Sequence, residues 1–101
     1  MATKQVDYGK LYEALPEQVH AWKVLCEDTP EWVNAAVRAG KVDFVRNKQD
    51  GTREFAKVKV MKDWRNALRG DYIVRGGNGF IYVMAESSFL KKHKFLRQDV
   101  Y

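Results

Sequence analysis

The sequence predicts an α+β fold, with a small antiparallel sheet of about four to five strands, one main helix and short flanking helices. Three observations indicate this class. Several short runs alternate apolar and polar residues with the period of two that is typical of strands. The segment "TPEWVNAAVRAG" has the start and stop signals of a helix. Clusters of Gly, Asn and Asp separate the strand-like runs, as they do in hairpins. At 101 residues the chain suits a single domain covering residues 1–101.

The first sixteen residues predict a helical extension, residues 1–16, ahead of the sheet. Asp7 is placed to cap a short helix, and Leu11, Tyr12 and Leu15 share one side of it. Pro16 ends this helix because proline interrupts the helical hydrogen bonds.

A strand and the main helix follow. "VHAWKVL", residues 19–25, predicts a strand with both faces at least partly covered. Thr29 is the predicted N-cap and Pro30 the first helical residue, where its missing N–H costs nothing. Gly40 supplies the C-terminal stop. The apolar stripe of this helix consists of Trp32, Val33, Ala36 and Val37.

The second half predicts two hairpins. "VDFVR" and "REFAKVKVM" flank the turn sequence "NKQDG", which indicates a hairpin. "KDWRNALRG" predicts a single helical turn that Asp63 caps and Gly70 closes. "GDYIVRGGNGFIYVM", residues 70–84, predicts the second hairpin. The C-terminal tail is predicted to begin a helix at Ser87 or Ser88, and a short strand is the alternative prediction for the end of the tail.

The glycine-rich loop "RGGNG" is predicted to be a turn and not a phosphate-binding loop. A dinucleotide fingerprint or a P-loop requires a helix directly after the glycines, so that helix N–H groups meet the phosphates. Here the glycines are followed by "FIYVM", which has the composition of a strand.

Charge is distributed unevenly along the chain. The net charge is +5, yet residues 1–36 carry three Lys/Arg against six Asp/Glu, a balance of −3. Residues 37–101 carry fifteen against seven, a balance of +8. The basic part is therefore the one expected to meet an anionic partner. No apolar run is long enough to span a bilayer and the N-terminus lacks a secretory pattern, which predicts an intracellular protein that does not bind a membrane.

Catalytic and metal-binding patterns are absent from the sequence. His20 and His93 lie far apart, and the single cysteine has no second thiol with which to form a metal site. Cys26 is followed by Glu27 and Asp28, and neighbouring carboxylates disfavour a thiolate. We therefore expect a protein that is not an enzyme and that holds neither a metal nor a cofactor.

A basic strip with aromatic residues, residues 57–75, is the best candidate for a binding site. Basic side chains can hold phosphates, and the aromatic side chains between them can stack a base. The candidate ligand-binding residues are Trp64, Arg65, Arg69, Tyr72, Arg75, Trp22 and Lys59. In a domain this small, the pocket is expected to lie between protomers, which predicts a homo-oligomer.

"GDYIVRGGNGFIY" resembles the motif of a small domain family of phages and prophages that is named after Pro-Gly-Asp-Tyr-Ile. The similarity covers residues 18–96 as the core, in which "VHAWKVL", "EDTPEWVNAAV" and Phe89 follow in the family's order. Arg69 stands where the family has proline, and Val83-Met84 stand where a Pro-Cys pair is usual. The resemblance implies a phage or prophage origin, a bacterial cytoplasm as the location and a non-enzymatic α+β module.

The resemblance and the charge pattern together lead to three functional expectations. The first is a counter-defence or host-takeover factor that acts by stoichiometric binding, sequestering an anionic nucleotide-type signal of host immunity. The alternative is a protein inhibitor of a host nuclease or effector. The third is nucleic-acid binding, which the net charge permits without a recognised motif.

Overall fold

The computed structural model describes residues 5–14 and 17–100, and in this part of the chain the fold is mainly β. The predicted α+β class with one sheet and one main helix is wrong, because eight strands form two antiparallel sheets beside two short helices. The strands are β1 (Asp7–Ala14), β2 (Glu17–Lys23), β3 (Val42–Arg46), β4 (Arg53–Val60), β5 (Asp63–Leu68), β6 (Tyr72–Arg75), β7 (Ile81–Met84) and β8 (Lys94–Val100). The helices are α1 (Glu31–Arg38) and α2 (Glu86–Lys92).

The two sheets differ in size and in how their strands connect. The larger sheet has the order β7-β6-β2-β1-β8, and the smaller has the order β3-β4-β5. The hairpin β3–β4 and the hairpin β6–β7 confirm the two predicted hairpins. Neither helix in the described residues has the length and apolar character needed to cross a bilayer.

The N-terminal helical extension is wrong, because residues 7–14 form β1 inside the larger sheet. β1 pairs with β2 on one side and with β8 on the other, so it lies well within the sheet. Leu11 and Tyr12 are both buried there. Gly9 has a φ of 112°, which no α-helix accommodates. The predicted helix end at residues 15 and 16 lies outside the described residues.

The predicted helical turn at "KDWRNALRG" is also wrong, because Asp63–Leu68 is strand β5. It pairs antiparallel with β4 along its whole length, from Val60 opposite Asp63 to Phe55 opposite Leu68. The chain reverses between Val60 and Asp63, where Met61 adopts a φ of 58°. Methionine is not a typical residue of such a turn, so the sequence does not signal this hairpin.

Helix α1 is confirmed, with its start displaced by one residue. Pro30 occupies the N-cap position in an extended conformation, and Thr29 accepts a 3.4 Å hydrogen bond from Arg53 instead of capping the helix. Trp32, Val33 and Ala36 of the predicted apolar stripe are buried, whereas its fourth residue, Val37, is 37% exposed. The C-terminal segment contains both of the structures that the sequence left open, helix α2 and then strand β8.

The larger sheet carries a hydrophobic core on each face. The first core lies between this sheet, helix α1 and the smaller sheet, and the second lies beneath helix α2. Successive residues of a strand point to opposite faces, so β2 contributes Trp22 to the first core and Val19 and Ala21 to the second. In the same way β6 contributes Ile73 to the first core and Tyr72 to the second.

An ion-pair cluster attaches the C-terminal strand to the sheet. The carboxylate of Asp99 on β8 lies 2.5 Å from Nε2 of His20 on β2, and Nε of Arg97 donates to it at 3.0 Å. Burial opposes ionisation of Asp99, but the hydrogen bonds from His20 and Arg97 outweigh it and lower the pKa of this carboxyl group. The ionised carboxylate therefore stabilises the position of β8.

This lowered pKa predicts an acid-sensitive contribution to stability. Since the pKa of Asp99 is lower in the folded state than in the unfolded chain, the stabilisation is complete above an unfolded value of about 3.9. It is lost as the pH falls through the lower folded value. We expect Asp99→Asn to destabilise the protein at pH 6 by about 1–3 kcal/mol and to make urea unfolding less sensitive to acid below about pH 4. The control Asp63→Asn, at an exposed position on β5, should retain the acid sensitivity of the native chain, and an unchanged profile for Asp99→Asn would contradict this role.

Candidate functional site

Three adjoining cavities form a groove along strand β7 and the β6–β7 hairpin. Their volumes are about 310, 550 and 450 Å³, with the largest in the middle. The first and the middle cavity share Lys41 and Ile81, and the middle and the third share Val60 and Tyr82. We call this site the basic groove. Its cations are Lys41, Lys59, Arg65 and Arg75. Its apolar lining consists of Trp32, Ala35, Ala36 and Ala39 at helix α1, together with Val60, Met61, Phe80, Ile81, Tyr82 and Val83.

Backbone hydrogen bonds hold the two groove lysines close together. Lys41 follows the C-terminal end of α1, and its N–H donates to the carbonyl of Ala36 at 2.9 Å. The N–H of Lys59 donates to the carbonyl of Lys41 at 2.8 Å, which ties β4 to the segment after the helix. Both residues are exposed and both line the middle cavity.

The two arginines lie in the outer cavities. Arg75 ends strand β6 and lines the cavity beside α1, where its guanidinium stands 5.8 Å from the ring centroid of Tyr8. Arg65 lies on β5 opposite the buried Val58, so it is on the inner side of the smaller sheet and lines the cavity next to Tyr82. The groove thus has positive charge in all three of its cavities.

None of these four cations forms an ion pair with a described residue. The described lining residues of the three cavities also include no carboxylate. A cavity elsewhere, of about 400 Å³, differs in charge because Asp7, Glu27 and Asp28 line it together with Lys10, which pairs with Glu27. Of these sites, the basic groove is therefore the one that suits an anion.

Exposed apolar side chains border the middle cavity. Met61 in the β4–β5 turn is 86% exposed, and Phe80 in the β6–β7 hairpin is 66% exposed. The glycine-rich loop places Phe80 there, since the N–H of Gly76 donates to the Phe80 carbonyl at 2.9 Å and closes the hairpin. The loop is a turn, as predicted, and it also supplies the groove with an aromatic side chain.

The structure separates the seven candidate residues into different environments. Lys59, Arg65 and Arg75 line the basic groove. Trp64 is exposed on the smaller sheet, outside the three cavities, and Arg69 donates a hydrogen bond to the carbonyl of Leu25. Trp22 is buried in the first core and Tyr72 in the second, where neither ring presents a surface on which a ligand could stack.

Sequence reasoning missed Lys41, Met61 and Phe80. Lys41 carries no local signal beyond its place after the helix stop at Gly40, and it enters the groove only through its backbone bond with β4. Met61 and Phe80 are isolated apolar residues in turns, a pattern that does not by itself indicate binding. Among the described residues, no group of three or more His, Cys, Asp or Glu side chains is arranged to hold a metal ion.

Comparisons of the chain with models of protein families, with curated proteins and with solved structures find no match. The chemistry of the basic groove therefore rests on its own residues.

Proposed function

We propose that this protein binds an anionic, nucleotide-type ligand in the basic groove and acts by stoichiometric binding without catalysis. The observation that carries this proposal is the set of four cations without ion-pair partners among the described residues, in cavities with no described carboxylate. Cations of this kind gain much by meeting phosphate groups, because a charge-assisted hydrogen bond is about twice as strong as a neutral one.

The groove also offers apolar contact for the base of a nucleotide. Met61 and Phe80 border the middle cavity, and Lys41 and Lys59 border it as well. A base packed against the two apolar side chains would leave its phosphates within reach of the lysines, and Arg75 would bind a phosphate with two parallel N–H donors. The middle cavity, about 550 Å³, falls in the size range of ordinary ligand sites.

The resemblance to the phage and prophage family gives this binding a biological role. A phage protein that removes a nucleotide signal of host immunity needs affinity and a sufficient copy number, and it needs no reaction. The described groove residues include no serine, cysteine, histidine or carboxylate, and the proposal assigns their lysines and arginines to phosphate binding. We place the protein in the cytoplasm of the bacterial host, where such a signal is made.

A ligand panel tests the proposal. Thermal unfolding is followed with inorganic pyrophosphate, AMP, ADP-ribose and cyclic mononucleotides and dinucleotides. We expect at least one nucleotide to raise the melting temperature, on the order of 10 °C at a concentration about 100-fold above its dissociation constant. The double variant Lys41→Gln, Lys59→Gln should weaken that binding roughly 10-fold or more.

A matched control shows whether the lysines act locally. Lys48 and Lys92 are exposed and lie outside the three cavities, so the double variant Lys48→Gln, Lys92→Gln removes the same charge elsewhere. Its affinity should stay within about threefold of the native chain at 150 mM salt, because charges separated by more than about 8 Å are screened there. The proposal is wrong if no nucleotide in the panel raises the melting temperature, or if both double variants weaken binding equally.

A further inference from the structure

The smaller sheet has one buried face and one open face. Ala56 and Val58 of β4 and Ala67 of β5 are fully buried against the first core. Because alternate residues point to opposite faces, the residues between them lie on the side away from the core. We call this side the outer face. Its described members are Asp43 and Val45 of β3, Phe55, Lys57 and Lys59 of β4, and Trp64, Asn66 and Leu68 of β5.

Trp64 is the unusual residue of the outer face. It is 47% exposed, whereas Trp22 is 1% and Trp32 is 4% exposed. Its ring makes no aromatic or cation–π contact with a described residue. A tryptophan with this much open ring surface provides a platform on which a base can stack.

The position of Trp64 connects it to the basic groove. In the β4–β5 register it lies directly opposite Lys59, and Lys59 also lines the middle cavity. Trp64 itself lines none of the three cavities of the groove. A ligand that fills the groove therefore leaves Trp64 uncovered, and a longer ligand reaches it by passing Lys59.

The charges of the outer face suit a phosphate at that passage. Lys59 lies beside Trp64, and Lys57 follows two residues away on the same face of β4. Asp43 is the one carboxylate among the described outer-face residues, and it lies opposite Lys57, so Lys59 has no acidic neighbour directly across the sheet. Positive charge thus continues from the groove to the tryptophan.

We propose that the ligand contains at least two nucleotide units, one in the basic groove and a second whose base stacks on Trp64. This inference rests on the proposed function and adds the class of ligand, a short oligonucleotide, either linear or cyclic. Lys59 contacts the phosphate that joins the two units. Stacking on an aromatic side chain accepts any base, so the outer face adds affinity and the groove supplies the other contacts.

Tryptophan fluorescence tests the inference, because Trp64 is 47% exposed while Trp22 and Trp32 are buried. Trp32 lines the first cavity of the groove, so the Trp64 signal is the change in emission that Trp64→Phe abolishes. The protein is titrated with thymidine 5′-monophosphate, with a 5′-phosphorylated thymidine dinucleotide, with a thymidine tetranucleotide and with a cyclic dinucleotide. Binding is measured in parallel by thermal shift and calorimetry. We expect the mononucleotide to bind without quenching the Trp64 emission, and at least one longer ligand to quench the Trp64 emission and bind roughly 10- to 100-fold more tightly. The linear and cyclic ligands distinguish a nucleic-acid strand from a cyclic signal.

Three variants assign the effect to the ring of Trp64. Trp64→Phe retains a stacking surface, so it should keep the tighter binding within about threefold while the quenching disappears. Trp64→Leu should lose the gain of the longer ligand and bind it no better than the mononucleotide. Leu68→Ala, at an exposed position on the same strand and face, should behave like the native chain.

The outcomes separate this inference from the proposed function. If the mononucleotide and all the longer ligands bind equally well and leave the Trp64 emission unchanged, the proposal of a second nucleotide unit on Trp64 is wrong, while the groove proposal stands. Mononucleotide quenching that Trp64→Phe abolishes would place Trp64 in the groove site and would also overturn the inference. If no ligand in any arm raises the melting temperature or gives a heat of binding, both proposals fail.

Discussion

Replacement of Phe89 by alanine is expected to lower the free energy of unfolding by about 3–5 kcal/mol, because the ring is completely buried in the second core. It stacks on Tyr72 with 4.0 Å between ring centroids and on His93 with 4.2 Å, and it meets Tyr12 edge to face at 4.8 Å. Removing it would leave a cavity between α2 and the larger sheet that three other rings line. Since a small domain has a total stability of about 5–15 kcal/mol, this single change removes a large part of it.

Urea unfolding followed by circular dichroism measures this loss. Leu90 lies next to Phe89 on the same helix but is exposed, so Leu90→Ala provides a matched control with an expected change within about 0.5 kcal/mol. If Phe89→Ala does not fold, Phe89→Leu keeps most of the volume and should cost about 1–1.5 kcal/mol. Equal effects of Phe89→Leu and Leu90→Ala would contradict the assignment of Phe89 to a core.

The position of Phe89 also separates stability from binding. The second core lies on the face of the larger sheet opposite the first core. The groove residues Val60, Ile81 and Val83 pack against the first core, and Tyr82 packs against the second. Because three of these four residues rest on the first core, a variant weakened at Phe89 but still folded should retain most of the native affinity for nucleotides at a temperature well below its melting point. The groove depends on the packing of the two sheets against each other.

The elements that the sequence predicts well are those specified by local chemistry. Helix α1 has Pro30 at its start and Gly40 after its end, and the two confirmed hairpins have turn sequences rich in Gly, Asn and Asp. These signals need no information from the rest of the chain.

The elements that the sequence predicts wrongly depend on partners that are distant in the chain. The spacing of Asp7, Leu11 and Tyr12 fits a capped helix, yet Leu11 and Tyr12 pair with both β2 and the C-terminal strand β8, and Asp7 pairs with β8. Strand β5 has a short polar sequence, and its pairing with β4 relies on a turn at Met61. Reassigning these two segments from helix to strand changes the fold class from α+β to mainly β.

The same physics limits what could be predicted of the candidate site. The basic strip of the sequence includes Lys59, Arg65 and Arg75, which line the groove in the structure, because a cluster of cations is visible without knowledge of strand register. The burial of an aromatic side chain depends on which face of its strand carries it. Tyr72 and Trp64 therefore look alike in sequence, yet Tyr72 is buried and Trp64 is exposed. Lys41 joins the groove through a segment far from the strip, which composition alone does not reveal.

Gly9→Ala is expected to destabilise the protein by about 2–5 kcal/mol, because the change has two separate costs. The backbone of Gly9 has a φ of 112°, where a residue with a Cβ atom is strained by about 1–2 kcal/mol. A Cβ atom placed there would lie 2.5 Å from Nε1 and 3.0 Å from Cδ1 of Trp32, and 3.3 Å from Cβ of Pro30. Trp32 is buried in the first core and cannot move without disturbing α1, so overpacking adds about 1–3 kcal/mol.

A second glycine separates the two costs of Gly9→Ala. Gly51 has a φ of 73° in the exposed β3–β4 turn, and a Cβ atom there meets nothing within 4 Å, so Gly51→Ala should show the backbone cost alone. The amount by which Gly9→Ala lowers the free energy of unfolding more than Gly51→Ala does, measured by urea unfolding, is the steric cost. Trp32→Phe removes the Nε1 atom. In the double variant Gly9→Ala, Trp32→Phe, the loss of unfolding free energy should be smaller than the sum of the two single losses, because the smaller ring relieves the clash. Equal losses for Gly9→Ala and Gly51→Ala, or strict additivity with Trp32→Phe, would show that the close approach of β1 to α1 does not require glycine. The larger loss predicted for Gly9→Ala follows from the position of Gly9 in β1, directly against the indole of Trp32 on the helix that closes the first core.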